Sequence, residues 1–171
     1  MHLTKILLYM LSFLLQYLPI AAQQKVQSKS YNTLLKKLLS HTVPEITVQQ
    51  CKNSITTYTL LDARELNEYA VSHLYNAIPV GYNSFSINAL ANLPKTTPIL
   101  VYCSVGYRSE KVTEKIIAAG YTNVQNLYGG IFEWVNAGQP VTNLLGSTTN
   151  VHPYNSTWGI WLKKGTKKYN Y

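Results

Sequence analysis

From residue 31 the apolar positions fall at helical spacing. Tyr31, Leu34, Leu35, Leu38 and Leu39 share one face and Lys36 and Lys37 lie on the other, which predicts a short amphipathic helix packed on the body of the protein. Residues 45–47 read as extended, and Thr47 followed by Gln50 is a capping-box pattern that opens a helical turn through Cys51. Residues 57–61 are rich in β-branched and aromatic side chains and end at Asp62, a strand, and the polar stretch 65–69 after it is helical. Residues 77–80 form another short strand, and 84–93 read as a helix stopped by Pro94. Residues 99–102 are continuously apolar, the pattern of a strand buried on both faces. Val112, Ile116, Ile117 and Ala119 then mark a helix running from Ser109, with Gly120 just past its end. A last strand at 123–127 and a helix at 131–137, entered through Gly129 and Gly130 and closed by Gly138 and Pro140, complete the series. Strands alternating with helices predict an α/β domain with a mainly parallel sheet.

The ends of the chain read differently. Residues 1–22 carry Lys5, an apolar run over 6–20 and Ala21-Ala22 before Gln23, the layout of a signal peptide, so an exported protein, periplasmic or extracellular, is expected to start at Gln23. Ser12, Gln16 and Pro19 make that run a poor membrane span, and no stable membrane anchor is expected; an uncleaved anchor is the alternative. Residues 23–42 form an amphipathic extension and 43–142 the domain proper. Residues 143–171 form a tail without clear periodicity, expected to pack in part through Trp158 and Trp161.

With 171 residues, 46% apolar and 13% charged, the chain has the composition of one globular domain with extensions. Its formal charge of +8 would suggest a nucleic-acid partner if it were concentrated on the domain. Between residues 43 and 142, however, six basic residues face seven acidic ones, a net charge of −1. The excess lies in Lys25, Lys29, Lys36 and Lys37 on one side and Lys163, Lys164, Lys167 and Lys168 on the other, which reads as solvated flanks and implies no nucleic-acid partner. Two cysteines do not make a disulfide scaffold. Cys51 reads as a small core residue, with a single bridge to Cys103 as the alternative. His2, His41, His73 and His152 lack metal-ligand spacing, and no glycine-rich nucleotide loop appears, so no metal or cofactor is implied.

The chemistry concentrates in "ILVYCSVGYRSEKVTEKII", which reads as strand, six-residue loop from Cys103 to Arg108, and helix. A loop between a parallel strand and a helix start turns its N–H groups into one concavity, where the positive helix end adds to them. A cysteine placed first in such an anion cradle favours thiolate over thiol. Gly106 lets the loop curl, and Arg108 offers a planar fork for a sulfonate, phosphate or carboxylate oxygen pair. A buried core thiol beside a surface arginine is the bland alternative. Cysteine, glycine and arginine sharing one loop favour chemistry.

"LLDARELNEYAVSHLYNAIPV", "VYCSVGYRS" and "LYGGIFEWVNAGQPV" resemble, in order and spacing, the successive signature segments of the rhodanese family, over about residues 43–141. The resemblance implies a five-stranded parallel sheet flanked by helices and a thiosulfate-type sulfurtransferase. Cys103 would be its persulfide carrier, a small sulfur donor such as thiosulfate the substrate, and a thiol or cyanide the acceptor. Cys103 and Arg108 are the candidate catalytic residues, and by the same resemblance Ser104, Val105, Gly106, Tyr107 and Ser109 bind substrate, with Asp62 and Arg64 in support. Asp62 is expected to hydrogen-bond neighbouring backbone, Arg64 to pair with Glu68, and His73 to pack rather than act as a base. Gly129 and Gly130 are expected to form a tight turn and Trp134 to fill the core. The chain departs from the family pattern at Tyr75-Asn76, where a Pro-Gly pair is common, so the turn there should differ without touching the site. Val105 and Tyr107 also make the loop entrance less positive than in relatives with several basic residues, which weakens the expectation of thiosulfate but not of persulfide. The alternatives are a persulfide relay, a non-catalytic rhodanese-like binding module, and a rhodanese-like phosphatase or arsenate reductase. The last resembles a pattern with five residues between cysteine and arginine; here there are four.

Overall fold

The computed structural model describes residues 25–170, so the expected signal peptide lies outside the described residues. Five strands, β1 (Glu45–Thr47), β2 (Thr59–Asp62), β3 (Ile78–Pro79), β4 (Ile99–Tyr102) and β5 (Val124–Tyr128), form one sheet in the order β1-β5-β4-β2-β3. Every pairing in it is parallel. The predicted fold class is therefore observed, including the number of strands.

Central β4 is buried at all four positions, as its unbroken apolar run requires. Alternation along the strands sorts side chains onto two faces. Leu60, Leu100 and Tyr102 join one core with the amphipathic helix α1 (Lys29–Leu38) and the closing helix α5 (Gly130–Asn136). Leu61, Ile99, Val101 and Cys103 join the other, with Val112 and Ile116 of α4 (Tyr107–Ala118). The short α2 (Val48–Cys51) follows β1 through the predicted Thr47/Gln50 capping box, and Cys51 is fully buried with a free thiol. Trp134 fills the core and donates its indole N–H to Pro140 O at 2.8 Å.

Three expectations change. The segment 84–93 contains a 3-10 turn, Ile87–Leu90, in place of a helix. Ser86 caps Asn88 through its own hydroxyl and only Leu90 of the turn is buried, so local side-chain bonding wins over a helix with little apolar face to bury. Strand β3 shrinks to two residues because Pro79, lacking an N–H, suits only the sheet edge. Helix α4 starts at Tyr107, two residues early, because Gly106 at φ +115° caps it. In the unusual Tyr75-Asn76 turn, Asn76 adopts φ +60°, which an asparagine tolerates better than most residues.

The tail is a structured part of the fold. Strands β6 (Val141–Asn143) and β7 (Gly146–Thr148) form a hairpin, and β8 (Asn150–Val151) pairs parallel with β9 (Thr166–Lys167) around α6 (Ser156–Gly159). Val151 and Leu162 are buried in the main core, and Trp161 stacks on Tyr31 with ring centroids 5.4 Å apart. Asn136 clamps the return, donating to Trp161 O at 2.9 Å and accepting from Lys163 N at 2.7 Å. No helix among the described residues is long and apolar enough to cross a membrane.

Candidate active site

Strand β4 delivers the chain to Cys103, where the loop turns back over its own cysteine: the Gly106 N–H donates to Cys103 Sγ at 3.1 Å. Beneath the loop, Asn126 of β5 donates to Gly106 O at 3.0 Å, and the Ser109 hydroxyl lies between Gly106 O and Asn126 Oδ1 at 3.1 and 2.7 Å. The closing helix completes the support. Ile131 N donates to Cys103 O at 2.9 Å and Phe132 N to Ser104 O at 3.1 Å. Gly130 makes this approach feasible, since a Cβ there would stand 2.4 Å from Cys103 O, and its φ of +56° disfavours a side chain as well.

Arg108 does not hold an open fork toward substrate. Its Nη1 and Nη2 donate to Glu68 Oε2 and Oε1 at 2.7 and 2.8 Å, a bidentate pair, and Nη2 also reaches Ser104 Oγ at 3.1 Å. The expected Arg64–Glu68 pair is thereby corrected. Arg64 precedes α3 (Leu66–Val71), so helical four-residue spacing does not apply to it. It folds back on Asp62 with Nη2 2.6 Å from Oδ2, donates to Ser72 O at 2.6 Å, and both partners are fully buried. Asp62 accepts from the Arg64 backbone N–H at 2.9 Å, as expected. Burial opposes charge on Glu68, but the hydrogen bonds and charge of Arg108, the Arg64 charge and the Glu65 N–H hold its carboxyl below the usual carboxylate range. Burial likewise opposes charge on Arg108. The hydrogen bonds and charge of Glu68 nevertheless raise its affinity for the proton above the ordinary value.

A pocket of about 390 Å³ opens over the loop, and Cys103, Ser104, Val105, Tyr107 and Arg108 line it. Gly106 and Ser109, expected to bind substrate, do not line it; they shape the loop from below. Sequence reasoning missed Leu38, Tyr82, Tyr154 and Trp158, which form the remaining apolar lining. Tyr154 covers the Arg108 guanidinium at 4.9 Å from its ring centroid. His73 packs as expected, stacked on Tyr69 at 3.8 Å and hydrogen-bonded to Tyr69 O. No group of side chains that could hold a metal occurs among the described residues.

His152 links the tail to this corner. Its Nδ1 accepts from Tyr154 N at 3.1 Å, so the ring is neutral there, and burial lowers its pKa from the ordinary 6.5. The Glu68 charge acts in the opposite sense, while the charges of Arg64 and Arg108 add to the lowering. Stability drawn from neutral His152 is full above 6.5 and is lost as pH falls through its lower folded value; Glu68 behaves the same way below its ordinary 4.5. The thermal midpoint should therefore fall between about pH 7.5 and about pH 5, with a change in tryptophan fluorescence from Trp158 and Trp161. A flat midpoint and unchanged fluorescence over that interval would contradict this.

A parallel α/β sheet with a cysteine cradled between a buried strand and a helix start defines the class: an α/β domain with a cysteine-bearing loop at the end of its central strand. The Rhodanese-like domain model matches residues 47–137, and the chain belongs to that family. It is 30% identical over 82 residues to a protein named sulfurtransferase from Allochromatium vinosum, covering 48% of this chain and 76% of that one. It is 29% identical over 89 residues to the adenylyltransferase and sulfurtransferase uba4 of Ogataea parapolymorpha, covering 52% and 23%. It is also 35% identical over 100 residues to a tRNA uridine(34) hydroxylase of Buchnera aphidicola, covering 55% and 30%. The chain thus spans less than a third of the length of these last two relatives. Among solved structures, a rhodanese-like domain from Anabaena aligns with TM-score 0.55 at 21% identity over 75% of this chain and 90% of that one. The thiosulfate sulfurtransferase of Pseudomonas aeruginosa aligns with TM-score 0.55 at 22% identity over 70% and 23%. Both show the same fold.

Proposed function

We propose that this protein is a sulfurtransferase that carries sulfur as a persulfide on Cys103. The observation that carries the reading is the loop amide aimed at the cysteine sulfur, Gly106 N–H to Sγ at 3.1 Å, beside a pocket large enough for a small substrate. The similarity to a protein named sulfurtransferase supports it.

In the first half-reaction the Cys103 thiolate attacks the outer sulfur of a donor such as thiosulfate. A new S–S bond forms, the S–S bond of the donor breaks, and sulfite leaves with the electron pair. Loop N–H groups and the start of α4 stabilise the negative charge carried by the persulfide. Arg108 is a positioning residue: its two Nη donors are engaged by Glu68, and it ties Ser104 of the loop to α3. In the second half-reaction a nucleophile, cyanide in an assay or a thiol, takes the outer sulfur and releases the Cys103 thiolate.

A covalent intermediate requires that the first product leave before the acceptor reacts. Initial rates with thiosulfate and cyanide varied together should give parallel double-reciprocal lines. Intersecting lines would show a ternary complex with no separate persulfide and would overturn the mechanism.

A further inference from the structure

The pocket over Cys103 is walled partly by residues outside the stretch 47–137 that matches the family. Leu38 comes from the end of α1, and Tyr154 and Trp158 come from the tail. With Val105, Tyr107 and Tyr82 they make a predominantly apolar, aromatic lining. Glu65 and Arg108 are the charged side chains among the lining residues. The Arg108 fork is closed by Glu68 and its face is covered by Tyr154, so the pocket presents no unneutralised cation to a small dianion. Cyanide or sulfite would fill a small part of about 390 Å³ and would leave the aromatic walls in contact with water.

The tail holds these walls deliberately in place. Tyr154 sits at φ +65°, a left-handed conformation that a bulky residue rarely adopts. It is kept there by its N–H bond to His152 Nδ1 and by the turn that follows, in which Asn155 N donates to Pro153 O at 2.8 Å and Trp158 N to Asn155 Oδ1 at 3.0 Å. A strained aromatic residue fixed over Arg108, in the lining of the pocket that Cys103 shares, is a feature that packing alone does not require.

We propose that the second substrate is a small organic thiol with an apolar, aromatic-sized body, and that Tyr154 and Trp158 are its specificity-determining residues. The proposal rests on the persulfide reading of Cys103. The acceptor thiol passes its proton to the outer sulfur of the Cys103 persulfide, and the thiolate so formed attacks that sulfur. An S–S bond forms between the acceptor and that sulfur, the enzyme S–S bond breaks, and its electron pair stays on Cys103 as thiolate. The product is an organic hydropersulfide, and no oxidant or reductant is consumed.

The full chain is loaded with thiosulfate, freed of excess donor, checked by intact mass, and then mixed with phenylmethanethiol, glutathione or cyanide. Each thiol rate is divided by the rate of the same thiol with free cysteine persulfide, which removes differences in intrinsic reactivity. Phenylmethanethiol should exceed glutathione by about tenfold or more, the scale of discrimination available to an apolar pocket. Tyr154→Ala and Trp158→Ala should each lower the ratio of the phenylmethanethiol rate to the cyanide rate by about fivefold, and Tyr154→Phe, which keeps the ring, should preserve it. Circular dichroism verifies that each variant folds. Equal or greater efficiency with glutathione, or a ratio unchanged in both alanine variants, overturns the proposal. Failure of the wild-type protein to gain sulfur from thiosulfate and from an organic thiosulfonate donor overturns the persulfide reading itself, and is seen at the loading step before any acceptor is added.

Discussion

Cys103→Ser should abolish sulfur transfer, with turnover of thiosulfate and cyanide falling by about 10³-fold or more, while the protein remains folded. A serine hydroxyl is a far weaker nucleophile at neutral pH and cannot form the S–S bond in which the sulfur is stored. The substitution is mild for the fold: the side chain is 1% exposed, and the Gly106 N–H that donates to Sγ can donate to a hydroxyl in the same position. Loss of turnover with a denaturation midpoint close to wild type is therefore the expected pair of results. Cys51→Ser provides the contrast. Cys51 lies in α2 with its thiol buried near Val48 O, and burial pushes that thiol up to about 11, away from the thiolate form, so Cys51→Ser should leave transfer unchanged. Residual turnover of a tenth or more in Cys103→Ser would place the nucleophile elsewhere.

Asp62→Ala should be the most destabilising simple substitution, at about 3–5 kcal/mol, the cost of leaving a buried charge without its partner. Burial opposes the Arg64 charge, yet the charge and hydrogen bonds of Asp62 hold the guanidinium protonated well above its ordinary range. Asp62 receives Nε and Nη2 of Arg64, and Nη1 already lacks a partner, so the substitution leaves the buried guanidinium its bond to Ser72 O but no directly paired carboxylate. The double variant Asp62→Leu with Arg64→Met removes both charges and should recover most of the loss. Urea denaturation of the three proteins measures both effects. A loss under about 1 kcal/mol for Asp62→Ala would mean that the guanidinium finds water or another anion.

The parts of the molecule legible in the sequence are those where one short-range signal dominates. The apolar run at 99–102 could only be a strand buried on both faces, and the cysteine, glycine and arginine after it marked the loop. The Thr47/Gln50 box and the face of Tyr31 and Leu35 were equally local and appear as expected. The pairing of charges was not local. Glu68 suits Arg64 by spacing, but it faces Arg108, 40 residues away, because α3 begins only after Arg64 has turned back on Asp62. Asn126 and Gly130 support the loop from distant elements, and of these only the glycine pair carried a sequence signal. Residues 84–93 misled because spaced apolar residues resemble a helix when there is no sight of how little of the segment is buried. The tail lacked any period, since its strands are two or three residues long and its aromatic side chains serve the pocket and the core one by one.

The most direct measurement is the intact mass of the protein after thiosulfate treatment. Wild-type protein and Cys51→Ser should each gain the mass of one sulfur atom and lose it on adding cyanide, and Cys103→Ser should gain none. Persistence of the added sulfur in Cys103→Ser, or a wild-type mass unchanged by saturating thiosulfate and by an organic thiosulfonate donor, would contradict a persulfide on Cys103.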